Sequence, residues 1–239
     1  MSAQFHDGLD PQDQGKKAKG AHVWERDERD WYVEPARCTR QLLAHERFQG
    51  VVWDPACGQG NIVETLLVTG HQALGTDIVR RVPKEATWFH GERDFLAMER
   101  PVALNIVMNP PFFRAKGTES FIRKALSFPV FKVAAFCDIR FLAGGKRAEG
   151  LYTDHPPSRA YIVTPRASCP PGRFLQDGGK AGNGSSDWVW LVWDRTAPFT
   201  GTQMCWLTAA DEGPPQAPSA WPALAFLSQR AIGEAGAHA

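Results

Sequence analysis

The 239 residues carry 27 Lys and Arg against 26 Asp and Glu, a formal net charge of +1 at pH 7, with 43% hydrophobic and 22% charged side chains. That is the balance of a globular chain able to bury a full core, and it excludes a global electrostatic basis for binding a polyanion, leaving only a local basic face. No run approaches the ~18 apolar residues of a spanning helix, Met1 to Gly20 is polar, and Cys38, Cys57, Cys137, Cys169 and Cys205 lie far apart with no C-x-x-C pair. A membrane anchor, a signal peptide, a structural zinc and a disulfide framework are therefore not expected, and reduced thiols in a cytoplasmic protein are.

Residues 1–30 mix Lys16, Lys17 and Lys19 with Asp7, Asp10 and Asp13 and end in the Glu25 to Asp30 charge run. With few apolar side chains to anchor it, this stretch is expected to be a mobile arm. A helix is predicted over 36–48, with Cys38, Leu42, Leu43 and Phe48 on one buried stripe and Pro35 in its first turn. Val51 to Trp53 is a short apolar run that ends in Asp54 and passes into Gly58-Gln59-Gly60, after which Ile62, Val63, Leu66 and Leu67 fall at helical spacing. That is strand, tight loop, helix. A second strand over Ala73 to Ile78 carries Asp77, and a weaker signal over Trp88 to Leu96 carries Asp94-Phe95. Ala103 to Met108 and Val130 to Cys137 are further strands, with an amphipathic helix over Thr118 to Phe128 between them. Strands alternating with helices imply parallel pairing through right-handed crossovers.

Beyond Asp138 the rhythm changes. Tyr161 to Val163 and Trp188 to Trp193 are strand-like with no helix between them, which predicts an antiparallel pair closing the sheet. The stretches 143–157 and 164–187 are rich in Gly, Pro and Ser and are expected to be long loops, functional or disordered. From 140 to 180, seven cations face three acids. Arg140, Lys146, Arg147, Arg159 and Arg166 are the candidates for phosphate contact there, with an ordinary solvated surface as the alternative. The organisation expected is an arm over 1–30, one domain over 31–208 and a tail over 209–239.

The chemistry follows from two strand ends. A dinucleotide fingerprint needs a third glycine where this chain has Val63, and an acidic Asp54 is a poor neighbour for phosphate but a good one for an ammonium group. Asp77, 23 positions on, suits a ribose diol. A cofactor with an α-amino group, a ribose and a purine fits this set, which describes S-adenosylmethionine. After Asn105 to Met108 the chain turns at Asn109-Pro110-Pro111-Phe112, and two prolines cannot continue a sheet. The Asn109 side-chain oxygen and the Pro110 carbonyl, aimed at the hydrogens of a conjugated amine, would draw its nitrogen toward tetrahedral geometry and free its lone pair. Rigid prolines hold that geometry in advance. Phe112 is placed to stack on the base, and a base taken from a duplex must be flipped out.

Taken together, the chain resembles the amino-methylating DNA methyltransferases, especially the compact phage-type N6-adenine enzymes. Asp54-Pro55-Ala56-Cys57-Gly58-Gln59-Gly60 with Asn61 is similar to their cofactor motif, Asp77-Ile78 to the ribose acid, and Asp94-Phe95 to the adenine-contacting pair. Asn109-Pro110-Pro111-Phe112 is similar to their catalytic tetrapeptide, and Tyr32-Val33-Glu34-Pro35 to the element that holds the methionine end, where family members often have Thr in place of Glu34. The resemblance implies a Rossmann-like α/β methyltransferase fold, a mostly parallel seven-stranded sheet with an antiparallel end. It implies methyl transfer from S-adenosylmethionine to adenine N6 in DNA. Restriction-associated relatives with this motif order carry a large DNA-reading domain, and none fits after Cys137. RNA adenine or guanine, protein glutamine, and a non-catalytic binding role remain the alternatives, because the same amide geometry serves any planar conjugated amine.

Overall fold

The computed structural model describes residues 30–113, 116–184 and 186–213. The arm expected over 1–30, apart from Asp30, and the tail beyond 213 lie outside the described residues. The elements run α1 (Ala36–His45), β1 (Val52–Asp54), α2 (Asn61–Val68), β2 (Ala73–Asp77), β3 (Phe89–Glu92), β4 (Asn105–Met108), α3 (Lys116–Ser127) and β5 (Lys132–Asp138). They continue with α4 (Gly145–Glu149), α5 (Leu151–Asp154), β6 (Arg159–Val163), α6 (Gly172–Gln176), β7 (Trp188–Asp194) and β8 (Gln203–Leu207), with a short 3-10 turn at Ala209–Glu212.

One sheet has the order β3-β2-β1-β4-β5-β7-β6-β8. β1 to β5 pair in parallel, β7 runs antiparallel to β5 and β6, and β8 is parallel to β6. This is the Rossmann-like, mostly parallel sheet with an antiparallel end that the sequence implies. It has eight strands where seven were expected. The additional strand, β8, lies at the edge, where Met204 and Trp206 are exposed. An edge strand needs no apolar alternation, so Gln203–Leu207 gives little strand signal. The 143–157 and 164–187 stretches also differ from the loops expected there, since the first folds into the short helices α4 and α5 and the second contains α6, a helix between β6 and β7 where none was expected.

Alternation along the strands divides the core into two layers. On β5, Val133, Ala135 and Cys137 join Trp53, Ile106, Ile122 and Leu126 on one side, while Ala134 and Phe136 join Leu42, Ile62, Leu66 and Trp190 on the other. Helices α1 and α2 cover the second layer and α3 the first. The stripe Cys38, Leu42, Leu43 and Phe48 is buried as expected, and Pro35 serves as N-cap of α1 rather than as its first helical residue. All five cysteines are free thiols, and no helix among the described residues is long and apolar enough to cross a membrane.

The edge of the sheet at the N-terminal ends of β5 and β6 is tied by an ion-pair cluster. Glu46 accepts from Lys132 Nζ at 2.6 Å, from Tyr161 Oη at 2.9 Å and from Arg159, while Asp194 takes Arg159 Nη2 at 2.6 Å and Lys132 Nζ at 3.2 Å. Two cations meet two anions there, so the burial is neutral. Against the opposing effect of burial, the Thr196 hydroxyl, Arg159, the Thr196 backbone N–H and the Lys132 charge hold the Asp194 carboxyl well below its ordinary range. Glu46→Ala leaves Lys132 and Arg159 short of a counter-ion in this partly buried site and is expected to cost about 3–5 kcal/mol, read from urea denaturation at pH 7.

Candidate active site

Strand order reverses between β1 and β4, and at such a switch point a crevice opens outside the carboxyl ends of the strands. The register pairs Val52 with Asn105 and Trp53 with Ile106, so Asp54 and Asn109 end neighbouring strands and face one space. A cavity of about 470 Å³ lies there, within the ordinary range for a small-molecule site.

Its floor is the glycine loop. Asp54 is 1% exposed and accepts the Ala56 amide at 3.0 Å. Asp77, at the end of β2, accepts the Gly58 amide at 2.8 Å, the Val79 amide at 3.0 Å and Arg81 Nη1 at 2.6 Å. The loop can follow this path because Gly58 and Gly60 adopt φ of 53° and 97°. A Cβ on Gly60 would stand 2.4 Å from the Trp88 ring. Gly60 also caps α2 from the left-handed region, a conformation that an L side chain rarely tolerates.

The roof is the segment Asp30 to Pro35. Val33 N donates to the Pro170 carbonyl and Gly172 N to the Trp31 carbonyl, both at 2.9 Å, and Tyr32 bridges Pro171. Trp31 lies against both Gly58 and Gly172, where a Cβ would come within 2.6 Å and 2.1 Å of its ring, and Arg81 stacks over it with the guanidinium 4.7 Å from the ring centre. Asn61 Nδ2 donates to the Glu34 carbonyl at 2.8 Å, joining this roof to the start of α2.

Asn109 hangs beneath the roof. Its Nδ2 donates to the Tyr32 carbonyl at 2.9 Å and to Glu34 Oε2 at 2.7 Å. Burial pushes the Glu34 carboxyl up to about 7, against its own backbone N–H and the Asn109 amide, which favour the anion. Burial also raises Asp54 well above the ordinary carboxylate range, and the neighbouring Glu34 and Asp77 charges push it the same way. The Cys57 thiol is driven strongly upward by burial and then by Asp54 and Asp77, so it stays protonated.

Of the residues singled out from the sequence, the cavity gathers Tyr32, Asp54, Pro55, Ala56, Cys57, Gly58, Asn61, Asp77, Ile78, Asp94, Phe95, Asn109 and Pro111. Pro35, Gly60 and Pro110 are not on the lining; Pro35 caps α1 and Gly60 lies against the Trp88 ring. Phe112 is not on the lining; the neighbouring Phe113, 44% exposed with φ of 37°, is, with its backbone N–H held by Asp30. Phe95 is 1% exposed and packs edge-on to Trp53, so its ring contributes core as well as wall. Glu34, Arg81, Arg93, Leu96 and Phe121 also line the space. Arg81 follows Asp77 by four residues, a spacing visible in the chain, but nothing local marks that pair as buried.

The basic candidates divide. Arg140 and Arg166 closely follow the carboxyl ends of β5 and β6, while Lys146 and Arg147 lie further on, in α4. Arg159 starts β6 on the opposite edge and is engaged with Glu46 and Asp194, which corrects its assignment to a phosphate-binding patch. Arg140 chelates Asp138 through Nε at 2.8 Å and Nη2 at 2.6 Å, Arg166 pairs with Asp187, and Arg147 packs over the Phe141 ring. Lys146 is exposed. Among the described residues no His, Cys, Asp and Glu cluster is arranged for a metal ion.

A scan against protein-family models and a search of curated proteins both find no match. Among solved structures, the chain is similar to a predicted O-methyltransferase from Agrobacterium tumefaciens, at 12% identity over 73% of this chain and 85% of that one, with a TM-score of 0.46. It is similar to a TehB-like SAM-dependent methyltransferase from Corynebacterium glutamicum, at 17% identity over 67% and 87%, with a TM-score of 0.40. It is also similar to TrmN from Thermus thermophilus, at 19% identity over 66% and 48%, with a TM-score of 0.39. At such identities and scores, the functional reading rests on the site's own residues.

The folded pKa of Glu34, about 7, lies above its ordinary 4.5, so the folded state binds this proton more tightly than the unfolded one. The group therefore favours folding at low pH and loses that advantage as pH rises from about 4.5 to 7. Removing its charge with Glu34→Gln is expected to stabilise the protein by up to about 3 kcal/mol at pH 8 and by almost nothing at pH 4.5, measured by urea denaturation across that range.

Proposed function

We propose that this chain is an S-adenosylmethionine-dependent methyltransferase that acts on the exocyclic N6 of adenine in DNA. The observation that carries the reading is the meeting of Asp54, Asp77 and Asn109 in one cavity at the strand-order switch point.

The donor set fits this cofactor. Three buried carboxylates, Glu34, Asp54 and Asp77, stand around one space, and two of them have raised proton affinities because burial leaves their charge poorly compensated. A ligand with cationic groups offsets that cost, whereas a phosphate would add to it. Asp54 would face the α-amino group, Asp77 the ribose hydroxyls, and Ile78, Asp94 and Phe95 the purine, while Gly58 lets the backbone come close. S-adenosylmethionine supplies an electrophilic methyl group on a sulfonium.

This chain's part is to present the acceptor amine. Both hydrogens of Asn109 Nδ2 point to fixed acceptors, the Tyr32 carbonyl and Glu34 Oε2. The amide oxygen therefore remains to accept from the substrate amine, which favours a pyramidal nitrogen with an available lone pair. The buried Pro110 and the ring of Pro111 fix the backbone that follows, so this orientation is set before substrate arrives. Phe113 and Leu96, exposed at the mouth, offer apolar surface for a base drawn out of its stack. Arg140 and Arg166, just beyond the carboxyl ends of β5 and β6, and Lys146 and Arg147 in α4 are the cations that would meet a polynucleotide backbone.

Incubation with methyl-labelled cofactor and DNA, RNA or protein tests the reading. Label is expected in DNA adenine, and label confined to RNA or protein would overturn the DNA assignment. Asn109→Ala is expected to lower kcat by about 10²–10³-fold while cofactor Kd changes little, because the side chain serves the acceptor amine. Asp77→Ala also releases the Gly58 amide and is expected to raise cofactor Kd about 10–100-fold, measured by calorimetry. Lys146→Glu with Arg166→Glu is expected to weaken DNA binding and to reduce the salt slope by about one for each phosphate that is no longer neutralised.

A further inference from the structure

Of the three carboxylates around the cavity, Glu34 is the one bonded to Asn109, although its burial costs stability. Its backbone is held on two sides. The carbonyl accepts Asn61 Nδ2 from the first turn of α2, and the preceding Val33 N–H is bonded to Pro170. Its side chain is 4% exposed and places Oε2 2.7 Å from Asn109 Nδ2.

On the reading that Asn109 presents an amide oxygen to the substrate amine, we propose that Glu34 is a positioning residue: its carboxylate fixes the Asn109 amide with Nδ2 inward and Oδ1 outward. A terminal amide can rotate by half a turn with little change of shape, so only its partners decide which end faces the substrate. A carbonyl oxygen and a carboxylate oxygen cannot donate, and together they admit only the NH₂ end.

Protonation weakens this selection, because a carboxylic acid can donate to Oδ1 and only the Tyr32 carbonyl then still requires the NH₂ end. The amide can then turn its NH₂ toward the substrate amine, presenting a donor where an acceptor is required. The charged and titratable groups around Glu34 do not reproduce the effect. Asp54 on β1 couples to Glu34 and Asp77 couples to Asp54, but neither is bonded to Asn109. Cys38 on α1 and Cys169 before α6 feel the Glu34 charge, and burial pushes both thiols up, Cys38 to about 12, so they stay neutral near pH 7.

The test has two readouts. In the free protein, the Nδ2 hydrogens of Asn109, assigned by their loss in Asn109→Ala, are expected to shift in NMR spectra with a midpoint near pH 7. In Glu34→Gln the shift disappears, since the glutamine side chain does not titrate. A midpoint that persists in Glu34→Gln, or an Asn109 signal flat from pH 5 to 9 in the wild type, overturns the proposal. This readout needs no substrate, so it remains decisive even if no methyl transfer is found and the functional reading falls. In turnover, Glu34→Ala is expected to lower kcat about 10–100-fold with cofactor Kd little changed, as when the hydrogen-bond partner behind an active group is removed. Glu34→Gln, whose amide can donate to Oδ1 as the protonated acid can, is expected to lower kcat to the level of the wild type at acid pH and to remove the acid limb of kcat/KM. Wild-type kcat in Glu34→Ala, with the cofactor bound, also overturns it.

Discussion

Poorly compensated negative charge at the switch point is the constraint on which the rest of the site depends. Asp54 and Asp77 end adjacent parallel strands, and Glu34 descends on them from the roof. Parallel strands in a doubly covered sheet bring their carboxyl ends together where water is excluded, so carboxylates there lose solvation; Arg81 and two backbone amides answer Asp77, whereas Asp54 has the Ala56 amide and Glu34 the Asn109 amide. Glu34 and Asp54 both respond by holding protons more tightly. A core designed for stability alone would avoid this arrangement.

The protein makes up the deficit elsewhere in the sheet. The cluster of Lys132, Arg159, Glu46, Asp194 and Tyr161 at the other edge also places charges out of water, but cations and anions balance and the hydrogen bonds are short. One edge is electrostatically closed, while at the other Arg81 pairs with Asp77 and leaves Asp54 and Glu34 without a cation of their own. The polarity lies along the strands: the closed cluster at the start of β5 and β6, the open one at the ends of β1, β2 and β4.

The roof is held less by the domain core than by backbone bonds to the 170–172 turn and by the wedge of Trp31 between two glycines. Those glycines are needed for close approach: Gly58 makes room for the indole on one side and Gly172 on the other. The same segment supplies the Tyr32 carbonyl and the Glu34 carboxylate to Asn109, so the covering of the cavity and the orientation of that amide are properties of one strip of chain.

The sequence by itself determined the strand-helix alternation, the parallel-then-antiparallel sheet and the two polar strand ends, because periodicity and turn chemistry are local. It could not show β8, whose exposed edge position leaves no apolar alternation, nor that Arg159 belongs to an ion-pair cluster, since its partners lie 113 and 35 residues away. Tertiary structure alone decided that Phe113 rather than Phe112 faces the cavity and that Arg81 lies against Asp77. It also decided that Glu34, 75 residues before Asn109, holds its amide. A residue type announces its chemistry in one dimension, but burial and the choice among hydrogen-bond partners arise only when distant segments pack together.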